Sequence, residues 1–258
     1  MATYLDRILD AHRKAAGEDH RPLSQLIDSA RRQPPARGFR AALAGAPGLA
    51  VIAEIKRRSP SKGDLNVGLD PADVAMTYED GGASCLSVLT DREFFGGSPG
   101  DLKAANAVTR LPVLRKDFTV APHDVCDARL MGADCVLLIA AALSDADLRR
   151  FHDLAGEVGL DALVEVHDEP ELERAMATGA TLVGVNQRDL VTFEVDPARA
   201  ERMAAAIPDG VVKVAESGVR DGDDARLLRD AGYDAILVGE TLVTSPDPAR
   251  TIQLLKGD

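Results

Sequence analysis

From residue 50 onward the chain alternates eight times between a short run of Val, Ile, Leu and Ala and a longer segment. The apolar runs fall at 50–55, 84–89, 111–114, 134–140, 161–166, 181–185, 211–215 and 234–238. Continuous apolar strands belong to parallel sheets covered on both faces, and each parallel strand needs a crossover to return the chain. Segments with helical periodicity, such as 71–80, 122–131, 144–157, 168–178 and 220–231, supply those crossovers. A doubly wound open sheet also alternates in this way but rarely repeats eight even units. Eight units over about 210 residues, roughly 26 each, suit a (β/α)8 barrel of about 250 residues. The predicted fold class is therefore α/β, a (β/α)8 TIM barrel, with the whole 258-residue chain forming one domain.

Local chemistry marks the unit boundaries. Asp70-Pro71, Asp196-Pro197 and Asp247-Pro248 place a capping carboxylate before proline at the first helical position. Ser144 and Asp168 are further expected caps. Gly81-Gly82, Gly132-Ala133, Gly179-Ala180 and Gly232-Tyr233 close helices just ahead of the next strand. Residues 1–48 stand outside this alternation. They carry two amphipathic helical patterns, near 3–16 and 22–32, then an Arg/Pro-rich stretch and small residues. This is expected to be a helical extension that caps one end of the barrel.

Charge excludes several partners. With 30 basic against 42 acidic side chains, the net charge is −12, the wrong sign for a general nucleic-acid or anionic-membrane binder. Aromatics make up 3% with no Trp, which leaves little for stacking on bases. Cys85, Cys126 and Cys135 lack CxxC spacing and sit in apolar runs, as buried thiols in a reducing compartment do. The five histidines form no local metal motif, so no metal site is expected. Without a signal core or a long apolar window, the expectation is a soluble cytoplasmic protein. A monomer is expected, although neither the acidic surface nor the N-terminal helices decide that point.

Barrel enzymes carry their reactive groups at the C-terminal ends of the strands, and inward residues alternate along each strand. Glu54 and Lys56 on the first run share a parity. Lys116 is in step with Leu114, Glu165 with Leu163, and Glu216 with Val212 and Val214. Asn186 and Arg188 end the sixth run. A core gains nothing from so many charges, whereas a pocket can use them. The chain has 23 Arg and only 7 Lys, yet Lys56 and Lys116 stand at strand ends. Lysine's pKa yields to burial, which would let it serve as an acid near neutral pH. Lys213 has the opposite parity to Glu216 and is expected to face outward. Glycine turns after the seventh and eighth runs, Ser217-Gly218 and Gly239-Glu240, fall where barrels bind phosphate.

These residues resemble the indole-3-glycerol phosphate synthase family of tryptophan biosynthesis. The motifs are IAEIKRRSPSKG, CLSVLTDREFFGG, VLRKDF, GADCVLLI, LVEVH, GVNQRDL, VKVAESGV and ILVGETL, spread over 51–243. One departure is Gln187, where a second Asn is common. The resemblance implies a carboxy-lyase that turns 1-(2-carboxyphenylamino)-1-deoxyribulose 5-phosphate into indole-3-glycerol phosphate, without cofactor. It implies Lys116 as the acid for ring closure, Glu165 as base and Lys56 as second acid. Glu54 would tune Lys56, Asn186 would orient the anthranilate, Arg188 would support the carboxylate and Glu216 would lie near the reacting chain. Ser59, Ser217, Gly218, Gly239 and Glu240 would cradle the phosphate. Phe95, Phe118, Leu89, Leu137, Ile139, Leu190 and Leu237 are candidates for the apolar wall. Two rivals are a sugar-phosphate isomerase, with no use for two strand-end lysines, and a silent scaffold, which would not keep this set complete.

Overall fold

The computed structural model describes residues 3–60, 62–189 and 194–257. Eight parallel strands close into a barrel: β1 (Ala50–Ile55), β2 (Cys85–Leu89), β3 (Val113–Lys116), β4 (Cys135–Ile139), β5 (Asp161–Val166), β6 (Leu182–Asn186), β7 (Val212–Glu216) and β8 (Ala235–Val238). Each pairs with its sequence neighbours, and β1 pairs with β8 to shut the ring. All eight lie within two residues of the expected runs, because apolar strands buried on both faces are the most legible feature of an α/β sequence.

The helices are α1 (Tyr4–Gly17), α2 (Leu23–Arg31), α3 (Phe39–Ala44), α4 (Pro71–Asp80), α5 (Pro99–Val108), α6 (Pro122–Met131), α7 (Asp145–Glu157), α8 (Glu169–Ala177), α9 (Pro197–Ala206), α10 (Gly222–Asp230), α11 (Glu240–Val243) and α12 (Pro248–Lys256). The expected caps form. Asp70 accepts from Ala72 and Asp73 N–H, Asp196 from Ala198, Asp247 from Arg250, Ser144 from Asp147 and Asp168 from Glu171.

Two apolar layers result. Outward strand residues such as Val51, Val88, Val136 and Val164 pack on the helices. Inward residues including Ile52, Leu114, Leu163 and Val214 fill the barrel. Lys213 faces outward as expected, its ammonium donating to the Ala204 carbonyl on α9.

The N-terminal extension departs from expectation by touching both ends of the barrel rather than one. α1 crosses the mouth formed by the strand C-termini, where His12 meets Asp91 and Asp117. α2 runs down the flank against α6. The short α3, unforeseen in the sequence, seals the floor. Its Phe39 and Leu43 join the interior cluster with Ala50, Val212 and Ala235. It is held there by Arg40 N–H on Asp161 and Arg37 N–H on Asp134.

Candidate active site

Five strands, β1, β3, β5, β6 and β7, carry polar residues at or just past their C-terminal ends, and these residues meet at the mouth. Glu54 near the end of β1 and Lys56 just past it form an ion pair of 2.6 Å. Ser87 on β2 donates to the other Glu54 oxygen at 3.3 Å. Across the barrel, Lys116 Nζ sits between Glu165 Oε2 at 2.9 Å and Glu216 Oε2 at 3.1 Å. Asn186 Nδ2 fixes the second Glu165 oxygen at 3.0 Å. All five charged groups line one cavity of about 1040 Å³, whose walls include Leu89, Phe95, Phe118, Leu137, Ile139 and Leu237. That arrangement, a few polar groups converging in an apolar wall, is the usual form of a small-molecule site. Leu190, expected in the same wall, lies outside the described residues.

Electrostatics correct one expectation. Burial pulls the Lys116 pKa down, but the carboxylates of Glu165, Glu216 and Glu54 outweigh it and hold the ammonium well above the ordinary lysine range. Lys116 is therefore charged in the resting site, not poised to titrate near neutrality. Glu165 is pushed up by burial, then carried below the usual carboxylate range by Lys116, His167 and the Asn186 hydrogen bond. Glu216 goes the other way. Burial and the neighbouring Glu165 and Glu54 carboxylates prevail over Lys116 and raise it to about 7. Two like carboxylates sharing one ammonium cannot both ionise freely, so their pKa values part. Glu216 Oε1 is buried and, among the described residues, finds no hydrogen-bond partner.

Gly184 on β6 explains how Glu216 fits. A Cβ there would overlap Glu216 Oε1 and come within 3.3 Å of Leu163 Cδ1. The strand gives up a side chain so that its neighbour's carboxylate can reach Lys116.

At the other side of the mouth, Ser59, Ser217, Gly218, Gly239 and Glu240 all line the same cavity. Ser217 has φ 68°, the one left-handed non-glycine residue among those described, and Gly218 follows at φ 78°. Such a conformation costs about 1–3 kcal/mol and is found chiefly at functional sites. Gly239 has a further use: a Cβ there would press on the Glu54 carboxylate and lie 2.9 Å from Lys56 Nζ. Arg188 lines the cavity too, its N–H donating to Asn186 Oδ1 at 3.0 Å.

Two histidines were missed by sequence reasoning. His167 shares Glu165's parity, and its Nε2 lies 3.7 Å from Glu165 Oε1 while Glu171 holds Nδ1 at 3.0 Å. The motif LVEVH contained this signal, since residues two apart on a strand face one way. His12 bonds Asp91 at 3.0 Å, with Asp117 at 3.7 Å, a gathering of possible metal ligands with no local motif. Asp117 already accepts from Arg115, Thr90 and the Phe118 N–H, and Asp91 from the Phe94 and Phe95 N–H groups. The cluster is thus a satisfied ion-pair network between the cap and the mouth.

Eight parallel strands with two ammonium groups and three acids at their C-terminal ends, beside a left-handed Ser-Gly turn, define a TIM-barrel enzyme for a small molecule. The indole-3-glycerol phosphate synthase family model matches residues 5–255. An indole-3-glycerol phosphate synthase of Chlorobium luteolum is 49% identical over 248 residues, 95% of each chain. One from Nocardioides sp. is 55% identical over 220 residues, covering 85% of this chain and 82% of its own. The chain belongs to the indole-3-glycerol phosphate synthase family. Two solved structures share only the fold. Thiamine phosphate pyrophosphorylase from Pyrococcus furiosus has a TM-score of 0.61 at 17% identity, covering 81% of this chain and 94% of its own. N-acetylmannosamine-6-phosphate 2-epimerase from Clostridium perfringens has a TM-score of 0.59 at 14% identity, covering 74% and 86%.

Proposed function

We propose that this chain divides the reaction of its family among Lys116, Glu165, Lys56, Glu54 and Glu216. The reaction closes the indole ring of 1-(2-carboxyphenylamino)-1-deoxyribulose 5-phosphate with loss of CO₂ and water, a carboxy-lyase step of tryptophan biosynthesis. Attack of the aromatic carbon on the ketone builds negative charge on the ketone oxygen. Lys116 supplies that oxygen with a proton. Its ammonium, held charged by Glu165 and Glu216, is already loaded when substrate arrives. Departure of CO₂ returns the electrons to the ring system. Dehydration then needs a base for a proton and an acid for the leaving hydroxyl. Glu165, kept ionised by its neighbours, is the base, and Lys56 the acid. Glu54 holds Lys56 in place, and Glu216, its Oε2 on Lys116, lies near the reacting chain.

Asn186 orients the anthranilate part and Arg188 supports its carboxylate. Ser59, Ser217, Gly218, Gly239 and the Glu240 N–H receive the phosphate, while the apolar wall takes the ring. No cofactor enters this scheme, because an electron-rich aniline and a protonated ketone suffice. We place the chain in the cytoplasm as a monomer. Three buried free thiols support a reducing compartment, and no helix among the described residues is long and apolar enough to cross a membrane.

The observation that carries this reading is Lys116 Nζ bridging Glu165 and Glu216 at the barrel mouth. Lys116→Ala removes charge stabilisation needed only in the transition state, a loss on the order of 10²–10³ in kcat. Single-turnover formation of indole-3-glycerol phosphate should fall by that factor, while equilibrium dialysis shows substrate still bound. Turnover within a factor of ten of wild type would remove Lys116 from the acid role.

A further inference from the structure

Gln187, the one departure noted in the GVNQRDL motif, is 3% exposed at the end of β6. Its main chain is fixed on both sides: the N–H donates to Glu216 O at 3.0 Å and the carbonyl accepts from Asp196 N–H at 2.9 Å. With the backbone fixed, the side chain has a restricted choice of direction. Its Nε2 donates to the Ser217 carbonyl at 2.8 Å. Ser217 is also gripped from Asn186, whose Oδ1 accepts from Ser217 Oγ at 2.9 Å. Adjacent residues of one strand end thus hold the two polar ends of a single left-handed serine, φ 68°. A serine adopts that conformation at a cost that glycine does not bear, so it persists only where its surroundings impose it.

We propose that Gln187 is the positioning residue of the phosphate end. By holding the Ser217 carbonyl it keeps the Ser217-Gly218 turn in the shape that offers its backbone N–H groups to the substrate phosphate. This rests on the reading of Ser217-Gly218 as part of the phosphate cradle. Gln187 itself does not touch the phosphate. An asparagine here would be one methylene shorter, by about 1.5 Å, too short to keep the 2.8 Å bond to the same carbonyl from this backbone position. The glutamine therefore adds a support that the shorter side chain would not.

Gln187→Met keeps the volume and removes the donor. The readouts are KM, kcat and the inhibition constant of inorganic phosphate against substrate. Losing one buried hydrogen bond that shapes a binding turn should weaken phosphate and raise KM roughly five- to tenfold, with kcat within about twofold. Ser217→Gly supplies the discriminating arm, because glycine enters the left-handed region unaided. In that background Gln187→Met should lose most of its effect. Equal penalties in both backgrounds would mean that Gln187 merely packs, and unchanged phosphate inhibition would also overturn the proposal. Gly218→Ala, strained at φ 78° and crowding Val195 with only ordinary contact on Gln187 at 3.8 Å, reports chiefly on the cradle. If it leaves phosphate inhibition intact, the cradle reading fails. If it weakens phosphate and Gln187→Met does not, only the role of Gln187 fails. Should Gln187→Met not fold, Gln187→Asn provides the same comparison with polarity kept.

Discussion

Lys116 shows how a side chain's chemistry is set by what faces it. Burial alone would make it an easily deprotonated amine, as sequence reasoning expects of a lysine in a barrel. The observed site places three acids around it, and their attraction outweighs the cost of desolvation. In the proposed scheme such an ammonium is a donor held in reserve, discharged when substrate charge builds against it. Gly184 is the least conspicuous participant. Gly184→Ala should displace Glu216, overpacking the barrel by about 1–3 kcal/mol and breaking the Lys116 bridge. A lower melting temperature together with a fall in kcat is expected. Full stability and full turnover would show that Glu216 has room to move and that the bridge is dispensable. Glycine in a strand announces close approach, yet nothing in GVNQRDL says that the approaching atom is a carboxylate oxygen from the next strand.

The N-terminal helix α1 is tied to the catalytic end by Arg13 on the Ala142 carbonyl, by Tyr4 against Phe94 and by the His12 imidazole. Burial lowers the His12 pKa, but the hydrogen bond to Asp91 and the charges of Asp117, Asp91 and Asp124 raise it above the ordinary histidine value. Asp117 is itself paired with Arg115 at 3.0 Å. A group whose folded pKa is raised contributes stability that is fully present below the unfolded value of about 6.5 and fades as pH climbs through the folded value. Wild-type stability should therefore decline as pH rises above about 6.5, and His12→Asn should flatten that part of the profile. Urea titrations at pH 6, 7, 8 and 9 would check it, and an unchanged slope would remove the latch. Because Asp91 also accepts from Phe95 N–H and Phe118 stacks near the His12 ring at 5.6 Å, the latch borders the apolar wall. Amphipathic periodicity gave α1 and α2 away in the sequence. It could not reveal α3, six residues long and rich in Ala, whose burial is decided by the hole beneath it.

That floor and the mouth are the two ends of one barrel with separate duties. Phe39 is fully buried among the lowest interior residues, and its carbonyl meets the Cys85 thiol. Phe39→Ala should cost about 3–5 kcal/mol through lost burial and a cavity. The surviving folded enzyme should keep kcat, since the reacting groups lie at the opposite end. A thermal melt with kinetics well below the transition would test both halves, and a kcat loss matching the stability loss would deny the separation of duties.

The eight strands, their spacing, their capped helices and the inward parity of Glu54, Lys56, Lys116, Glu165 and Glu216 were all fixed by nearest-neighbour geometry. Side chains two apart on a strand face one way whatever surrounds them, so the candidate site could be read as a set of strand ends. Other properties arose only when the ring closed. Lys116 reaches partners 49 and 100 residues away, and His12 one 79 residues away. The sign of a pKa shift, the clearance beside a glycine and the hold on a left-handed serine depend on atoms brought together from distant turns of the chain. Periodicity along a strand is a local property, whereas the potential and the free space at one atom are sums over everything folded around it.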